Sequence, residues 1–80
     1  MKTLVIAMTA GLVDHPDEIE VTEENNHGVV DLKLIVHPDD MGKVIGKQGR
    51  IANSIRQILK ASAIKENVKV NLEITSKDEQ

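Results

Sequence analysis

Two glycines three residues apart limit most strongly how this chain can fold. Gly46 and Gly49 enclose Lys47 and Gln48, and apolar residues with helical spacing lie on both sides of the four. Glycine adopts left-handed backbone conformations that other residues avoid, so it ends helices and forms tight turns. The stretch therefore predicts two helices joined by a sharp turn, and it leaves open whether the turn is also a binding site.

The chain is short and contains no aromatic residue. Its 80 residues make one small domain, because a chain of this length buries only about 60% of its unfolded surface. Without Phe, Trp or Tyr, the core must be built from Ile, Leu, Val, Met and Ala. Such a core is thin, and we expect pairing with another subunit to stabilise it.

Cysteine is absent, and the three histidines are separated in the sequence. A chain without cysteine has no disulfide, thiolate metal site or cysteine nucleophile, which fits a reducing cytoplasm. His15, His27 and His37 have no HxxxH-like spacing, so the sequence predicts neither a metal centre nor a cofactor. The similar sequences HPDE at His15 and HPDD at His37 have different flanks, and we interpret them as coincidental turn sequences.

The N-terminal stretch MKTLVIAMTAGL imitates a short signal peptide. However, it has a single charge, at Lys2, and its apolar run is interrupted at Thr9. Its removal would also take an amphipathic helix from a minimal core. No apolar stretch reaches the roughly 20 residues that span a membrane. We therefore expect a cytoplasmic protein that keeps this helix.

The positive charge of the chain is concentrated around the glycine pair. The net charge is −3, yet residues 41–60 contain five basic residues and no Asp or Glu. The other sixty residues hold five basic and all thirteen acidic residues, a net charge of −8. The basic residues near the glycines are Lys43, Lys47, Arg50, Arg56 and Lys60. A local positive field of this kind favours an anionic partner despite the acidic average.

The first half of the chain predicts a helix followed by a β-hairpin. Apolar residues at every fourth position predict a helix from Thr3 to about Val13. Alternation around Ile19 and Val21 predicts a short strand, and the run EENNHG, residues 23–28, is typical of a turn. Residues Val29–Val36 alternate again, so the two strands should form an antiparallel hairpin.

The second half predicts two helices and a last strand. Pro38 suits the first turn of a short helix, with Asp39 and Asp40 at its positive end. Gly46 should end this helix in a left-handed cap. A longer helix follows the glycine pair, and Val68–Ile74 alternates as a strand. The apolar stripe expected to face the core on the longer helix is Ile51, Ala52, Ile55, Ile58, Leu59 and Ser62.

Ala61 and Ile64 lie off this stripe, and two interpretations of them stay open. In the first, the helix frays and Ile64 tucks under the next turn. In the second, the two side chains contact an apolar surface of a partner protein.

These elements predict an α+β domain with two layers. The order α-β-β-α-α-β implies a three-stranded sheet with one face covered by three helices. The connection between the second and third strands passes through two helices, so these strands should be parallel and the sheet mixed. We assign residues 1–75 to this single domain and residues 76–80 to a flexible polar tail.

A glycine turn between two helices has the chemistry of an anion site. The turn and the start of the second helix expose backbone N–H groups at the positive end of a helix dipole. The two glycines let a sugar-phosphate backbone approach closely, and Lys43, Lys47 and Arg50 supply positive charge. A Walker loop is excluded because Gln48 stands where Ser or Thr is required. A dinucleotide-binding fingerprint is also excluded, because its GxGxxG motif follows a strand, whereas the glycine pair in this chain follows a predicted helix.

The segment VIGKQGRIANSIRQIL resembles the VIGxxGxxIxxI signature of KH domains. In that family the GxxG loop joins two helices and clamps the backbone of about four single-stranded nucleotides. The element order resembles the type II arrangement. The run HPDDMGKVIGKQGRIANSIR is similar to the KhpA family of small bacterial single-KH proteins. The resemblance covers nearly the whole chain and implies a type II KH domain.

The resemblance also implies which residues contact RNA. The loop Gly46–Gly49 would clamp the backbone. Ile45 and Ile51 either line a groove for the bases or belong to the core. Arg56 and Lys60, farther along the helix, are interpreted as a solvated face rather than as RNA contacts. The complete predicted RNA-binding set is Lys43, Val44, Ile45, Gly46, Lys47, Gln48, Gly49, Arg50 and Ile51.

The family further implies partners and argues against catalysis. The family implies pairing, either as a homodimer or with a larger KH-containing protein of the Jag (KhpB) type. Ala61 and Ile64 would then contact the partner. We predict a non-catalytic binder of single-stranded RNA in post-transcriptional regulation or RNA chaperoning. The alternative is a protein-interaction or scaffold module in which the GxxG is only an interhelix turn. No nucleophile and base lie at a useful spacing, so an enzyme is not expected.

Overall fold

Three helices and three strands follow one another in the predicted order. The computed structural model describes residues 1–79, apart from the side chain of Glu79. In chain order the elements are α1 (Lys2–Ala10), β1 (Glu20–Asn26), β2 (Val29–Val36), α2 (Met41–Ile45), α3 (Arg50–Lys65) and β3 (Lys69–Ser76). Short 3-10 turns occupy Pro16–Glu18, Pro38–Asp40, Lys47–Gly49 and Lys77–Glu79.

The strands form one mixed sheet with β2 in the centre. As predicted, β2 pairs antiparallel with β1 and parallel with β3. The predicted turn at residues 23–28 is wrong in length, because β1 continues to Asn26 and pairs it with Val29. Only His27 and Gly28 form the turn. Their φ angles of 52° and 84° suit a two-residue hairpin, whose twist then matches that of the paired strands.

One face of the sheet packs against all three helices, which confirms the two-layer α+β architecture. The buried residues of β2 on this face are Val30, Leu32, Leu34 and Val36. Val5 of α1, Val44 of α2 and Leu59 of α3 are fully buried in the same core. Each helix therefore contributes at least one aliphatic side chain to a single cluster without aromatic residues.

The core side of α3 is rotated relative to the predicted stripe. Ala52, Ile55 and Leu59 are buried as predicted, but Ala63 is buried with them. Ile58 is instead 48% exposed. The shift has a tertiary cause, because α3 packs on β3, the strand that follows it.

The first helix is shorter than predicted. It ends at Ala10, and Leu12 lies beyond it with 38% of its surface exposed. Val5 and Thr9 are the buried residues of this helix. Within residues 1–79, no helix combines the length and the apolar character needed to cross a membrane.

The end of the chain continues along the sheet past residue 75. Ser76 ends β3, and Lys77 Nζ lies 2.7 Å from Glu18 Oε2 and 3.8 Å from Glu20 Oε1. These ion pairs hold the start of the polar tail beside β1. The domain boundary at residue 75 and the mobility of the tail stay predictions, and Gln80 lies outside the described residues.

Gly46 and Gly42 form a matched pair for testing the junction between α2 and α3. A Cβ on Gly46 would lie 2.6 Å from Ile51 Cγ1, and the φ of 75° and ψ of 176° suit glycine alone. We expect Gly46→Ala to lower the free energy of unfolding by about 2 kcal/mol or more. Gly42 is helical and its Cβ would meet nothing within 4 Å. Gly42→Ala should therefore raise the same free energy by about 0.4–1 kcal/mol.

Urea unfolding followed by circular dichroism measures both free energies. Two substitutions with equal effects would contradict this account of the junction.

Candidate nucleic-acid interface

The loop Gly46–Gly49 joins α2 to α3 through three residues with positive φ. The φ angles of Gly46, Gln48 and Gly49 are 75°, 56° and 74°. The N–H of Gly49 donates to the carbonyl of Gly46 at 3.2 Å and closes the turn. The predicted left-handed cap at Gly46 is wrong in detail, because its ψ is 176°; the left-handed residues are Gln48 and Gly49.

The two glycines serve different purposes. At Gly46 a side chain would collide with Ile51, so this glycine is required for packing. A Cβ on Gly49 would meet nothing within 4 Å, so the space outside Gly49 is open. That open backbone lies at the start of α3, where a second molecule can approach the chain closely.

The start of α3 carries positive charge with no counter-ion among the described side chains. No acidic residue lies in its first turn, and Gly49 gives its N–H groups no side-chain cap. Lys47 and Arg50 are exposed or nearly so, and among residues 1–79 neither forms an ion pair. The helix dipole adds to their field. The loop therefore presents amide donors and two available cations together.

Lys43, also predicted to bind RNA, is in contrast already paired. Its ammonium donates to the Asp14 carboxylate and lies 3.8 Å from Asp40 Oδ1. The hydrogen bond to Asp14 is the main reason that the pKa of Lys43 is raised. Lys43 therefore stabilises the contact between α2 and the loop after α1, and it reaches a phosphate only by leaving Asp14.

Asp40 stands at the start of α2, as predicted, but its carboxylate also has a role outside that helix. It is fully buried and accepts hydrogen bonds from the backbone N–H groups of Asp14, at 3.2 Å, and His15, at 3.0 Å. Burial by itself raises the pKa of Asp40, but these donors and the His15 ring outweigh burial and leave the pKa below its ordinary value. Asp40 thus anchors the loop after α1 beside α2.

The predicted apolar contacts with RNA lie at different depths. Val44 is fully buried and belongs to the core. Ile45 is half-buried beside the loop, and Ile51 packs both against Gly46 and against the core cluster. Of these three predicted residues, Ile45 and Ile51 retain apolar surface that a ligand can touch, and Val44 does not.

A groove runs between α3 and β3, the edge strand of the sheet. Its volume is about 560 Å³. Apolar side chains form its floor, basic side chains stand at its rim, and two further exposed residues complete its lining. These three groups are Leu59, Ala63, Val68, Val70 and Leu72, then Arg56, Lys60 and Lys69, and finally Ile64 and Asn71. Arg56 donates to the carbonyl of Leu72 at 3.3 Å, and it lies about 9 Å along the helix axis from Arg50.

The sequence interpretation placed Arg56 and Lys60 on a solvated face, and it did not identify this groove. The groove depends on how α3 lies over β3, which the spacing of residues within α3 alone does not reveal. One signal was present: the alternation that turns Val70 and Leu72 inward on a strand with one unpaired edge.

A sequence profile of the family described as "KhpA/KhpB, KH domain" matches residues 2–74. The chain belongs to this family. It is 50% identical to the RNA-binding protein KhpA of Halalkalibacterium halodurans over 74 residues, which cover 92% of the chain and 97% of that protein. It is 54% identical to the RNA-binding protein KhpA of Clostridium perfringens, with 92% and 99% covered. These relatives are named for binding and not for catalysis, in agreement with the prediction of a non-enzyme.

Solved structures of larger proteins contain the same fold. A variant of Aquifex aeolicus Era bound to GDP·AlF4⁻ matches with a TM-score of 0.66 at 18% identity. Era in complex with MgGDPNP and nucleotides 1506–1542 of 16S ribosomal RNA matches with a TM-score of 0.60 at 22% identity. Each match covers 94% of this chain and 29% of the Era chain, so it establishes the fold of one part of Era.

The buried Asp40 carboxylate predicts how stability depends on pH. A lowered pKa stabilises the fold above the ordinary aspartate pKa of about 3.9, and this contribution is lost as the pH falls through the lowered value. Asp40→Asn should therefore unfold at lower urea concentration than the parent at pH 7, and the difference should narrow below about pH 4.

Urea midpoints between pH 7 and pH 3 measure this difference. The control Asp17→Asn, at an exposed aspartate, should follow the parent throughout. A difference between Asp40→Asn and the parent that stays constant with pH would contradict the assigned role.

Proposed function

We propose that this protein is a non-catalytic binder of single-stranded RNA that holds the sugar-phosphate backbone at the loop Gly46–Gly49. The observation that carries the proposal is the loop itself. Open backbone at Gly49 lies beside Lys47 and Arg50, which have no ion pair in the described chain, at the uncapped start of α3. The KhpA relatives are named RNA-binding proteins, and one matching Era structure contains ribosomal RNA.

The loop suits a phosphodiester backbone better than a free phosphate ester. Amide donors and two cations are spread along the chain from Gly46 to Arg50, so they can contact more than one phosphate of the same strand. The contacts carry no base preference, because every nucleotide presents the same phosphate.

The groove between α3 and β3 is the proposed place for the bases. It begins within two helical turns of the loop, and its floor is aliphatic. Bases that lie against Val70 and Leu72 would meet backbone and side-chain groups at their edges, while Arg56 and Lys60 stand at the rim close to phosphates. This assignment reverses the interpretation of Arg56 and Lys60 as a solvated face.

Lys43 is proposed as a conditional contact. It would join the RNA only by exchanging the Asp14 carboxylate for a phosphate, so the gain equals the difference between two similar charge pairs. The electrostatic part of binding therefore rests mainly on Lys47 and Arg50, and a single clamp of this size should bind weakly. A second KH surface on a partner would raise the overall affinity through effective concentration.

Replacing Lys47 and Gln48 together by aspartate tests the clamp. Both side chains are exposed, and aspartate tolerates the left-handed conformation at position 48, so the fold should be retained. We expect the affinity for a fluorescent single-stranded RNA to fall by more than about tenfold in an anisotropy titration, because two new carboxylates repel phosphate.

The other end of α3 supplies a matched control. Lys65→Asp with Asn67→Asp makes the same change in charge and also includes a left-handed residue, since the φ of Asn67 is 60°. These positions lie about 22 Å from the start of the helix. The control should bind RNA like the parent. If the loop variant binds RNA like the parent, the scaffold alternative is favoured. If both variants lose the same affinity, the loss reflects the net charge of the chain and not the loop.

We also propose that one edge of α3 pairs with a second KH chain, either a copy of itself or a larger KH-containing protein of the Jag (KhpB) type. Ile64 is 71% exposed, so it does not tuck under the next turn. It lines the end of the groove farthest from the loop, about 21 Å along the helix axis from Arg50 and beyond Arg56 and Lys60. Ile58 is 48% exposed, and Ala61 lies between them at three-residue spacing on the exposed side of the helix. Unpaired isoleucines at this density favour a protein contact.

Ile64→Asp tests the pairing surface. Ile64 lies outside the core, so the variant should fold. We expect it to be monomeric by light scattering, whereas the parent should be dimeric. Asn53→Asp, at an exposed polar position of the same helix, should keep the parent state. A parent that is itself monomeric would contradict the homodimer, and an unaltered dimer in Ile64→Asp would exclude Ile64 from the interface.

The proposed role of such a protein is post-transcriptional regulation or RNA chaperoning in the cytoplasm, together with its KH partner. A domain that binds a few nucleotides weakly, and does not modify the bases, suits the transient contacts of that role.

A further inference from the structure

Two histidines that are far apart in the sequence stack against each other beside α2. His15 lies in the loop after α1, and His37 directly follows β2. Their ring centroids are 4.1 Å apart, and the ring planes differ by 13°. The two HPD sequences, interpreted above as coincidental, therefore meet in the fold.

Asp39 adds a carboxylate to this pair. Its Oδ2 lies 3.7 Å from His37 Nδ1. One ligand atom from each of His15, His37 and Asp39 lies within 4.8 Å of the other two. All three side chains reach solvent, with exposed fractions of 41%, 29% and 78%. Two imidazoles and one carboxylate are a donor set that open transition-metal sites use.

The buried carboxylate of Asp40 orients the His15 ring. Asp40 Oδ2 accepts from the backbone N–H of His15 and lies 3.2 Å from His15 Nδ1. An ionised carboxylate only accepts hydrogen bonds, so the proton of a neutral His15 ring belongs on Nδ1 and its free lone pair on Nε2. Histidine ligands of metal ions usually donate their other ring N–H to a carboxylate in this way.

We propose that His15, His37 and Asp39 form a binding site for a divalent transition-metal ion of the Zn²⁺ class. Tetrahedral Zn²⁺ holds nitrogen and oxygen ligands about 3.3 Å apart, so the ligand atoms, which lie within 4.8 Å of one another, must move closer by up to about 1.5 Å. The exposed Asp39 and the partly exposed His37 can make this movement, the latter by tilting out of the stack. His37 Nδ1 accepts the N–H of Asp39 at 3.1 Å, so an ion bound at this nitrogen replaces that hydrogen bond. Mg²⁺ and Ca²⁺ select all-oxygen sites and are not expected here.

An ion at this site connects the loop after α1 with the turn that leads into α2. His15 belongs to the loop that carries Asp14, the partner of Lys43, while His37 and Asp39 belong to the turn before α2. Binding to the folded chain alone stabilises it, so Zn²⁺ should raise the Tm. The inference stands independently of RNA binding.

Three matched His→Asn variants test the site. His15→Asn and His37→Asn each remove an imidazole but keep a side-chain amide near the position of Nδ1. In His15→Asn the amide can keep the hydrogen bond to Asp40, and in His37→Asn it can accept the N–H of Asp39. His27→Asn is the control, because His27 is exposed in the hairpin turn with a φ of 52°, which asparagine tolerates well.

Zn²⁺ is titrated calorimetrically into the full-length, untagged chain, and Co²⁺ binding is followed by its visible absorption. We expect one ion per chain with a micromolar Kd in the parent and in His27→Asn. The affinity should be at least about tenfold weaker in His15→Asn and in His37→Asn. Replacing a residue that only hydrogen-bonds to a metal ligand already weakens binding by about that factor, and these variants remove a ligand itself. Mg²⁺ should give no saturable heat.

Absence of saturable Zn²⁺ binding to the parent would overturn the proposal. Equal affinity in all four proteins would also overturn it, because the ion would then bind the surface adventitiously. Circular dichroism establishes that each variant is folded before its affinity is compared. Asp39→Asn provides a further test: an unchanged affinity and an unchanged Co²⁺ spectrum would exclude the carboxylate and with it the three-ligand site.

Discussion

The contact between Gly46 and Ile51 is the constraint on which the rest of this structure depends. Because Gly46 has no Cβ, Ile51 packs directly over the backbone at the end of α2 while it also joins the core cluster. The contact sets how closely α3 begins after α2. Lys47 and Gln48 are left outside the core, so the residues that complete the turn are free for a ligand.

Charge follows the same division of the molecule. The acids of the chain lie outside residues 41–60, so the nearest charges to the loop are positive although the net charge is −3. Lys43 is the exception among the cations near the loop, because Asp14 and Asp40 hold it beside the loop after α1. A structural cation and two available cations thus lie within a few residues of one another, and the two available cations give the loop a positive field.

Features with local signals were predictable from the sequence. The alternation in β2, the glycine turn and the order of the elements each depend on neighbouring residues, and they lead to the observed mixed sheet. Features that depend on tertiary contacts could not be predicted from the sequence. Ala63 replaces Ile58 in the core because β3 lies to one side of α3, and Asp40 is buried because a loop more than twenty residues away supplies its hydrogen-bond donors. The stacking of His15 on His37 has the same origin.

In the complex that we propose, RNA lies across the loop and along the groove between α3 and β3. Amide chemical shifts of the ¹⁵N-labelled chain, followed while a short single-stranded RNA is added, test it residue by residue. The account predicts the largest changes at Gly46–Arg50, with a second group at Val70 and Leu72. Changes confined to the open face of the sheet, around Thr22 and Glu73, with none in the loop, would contradict it.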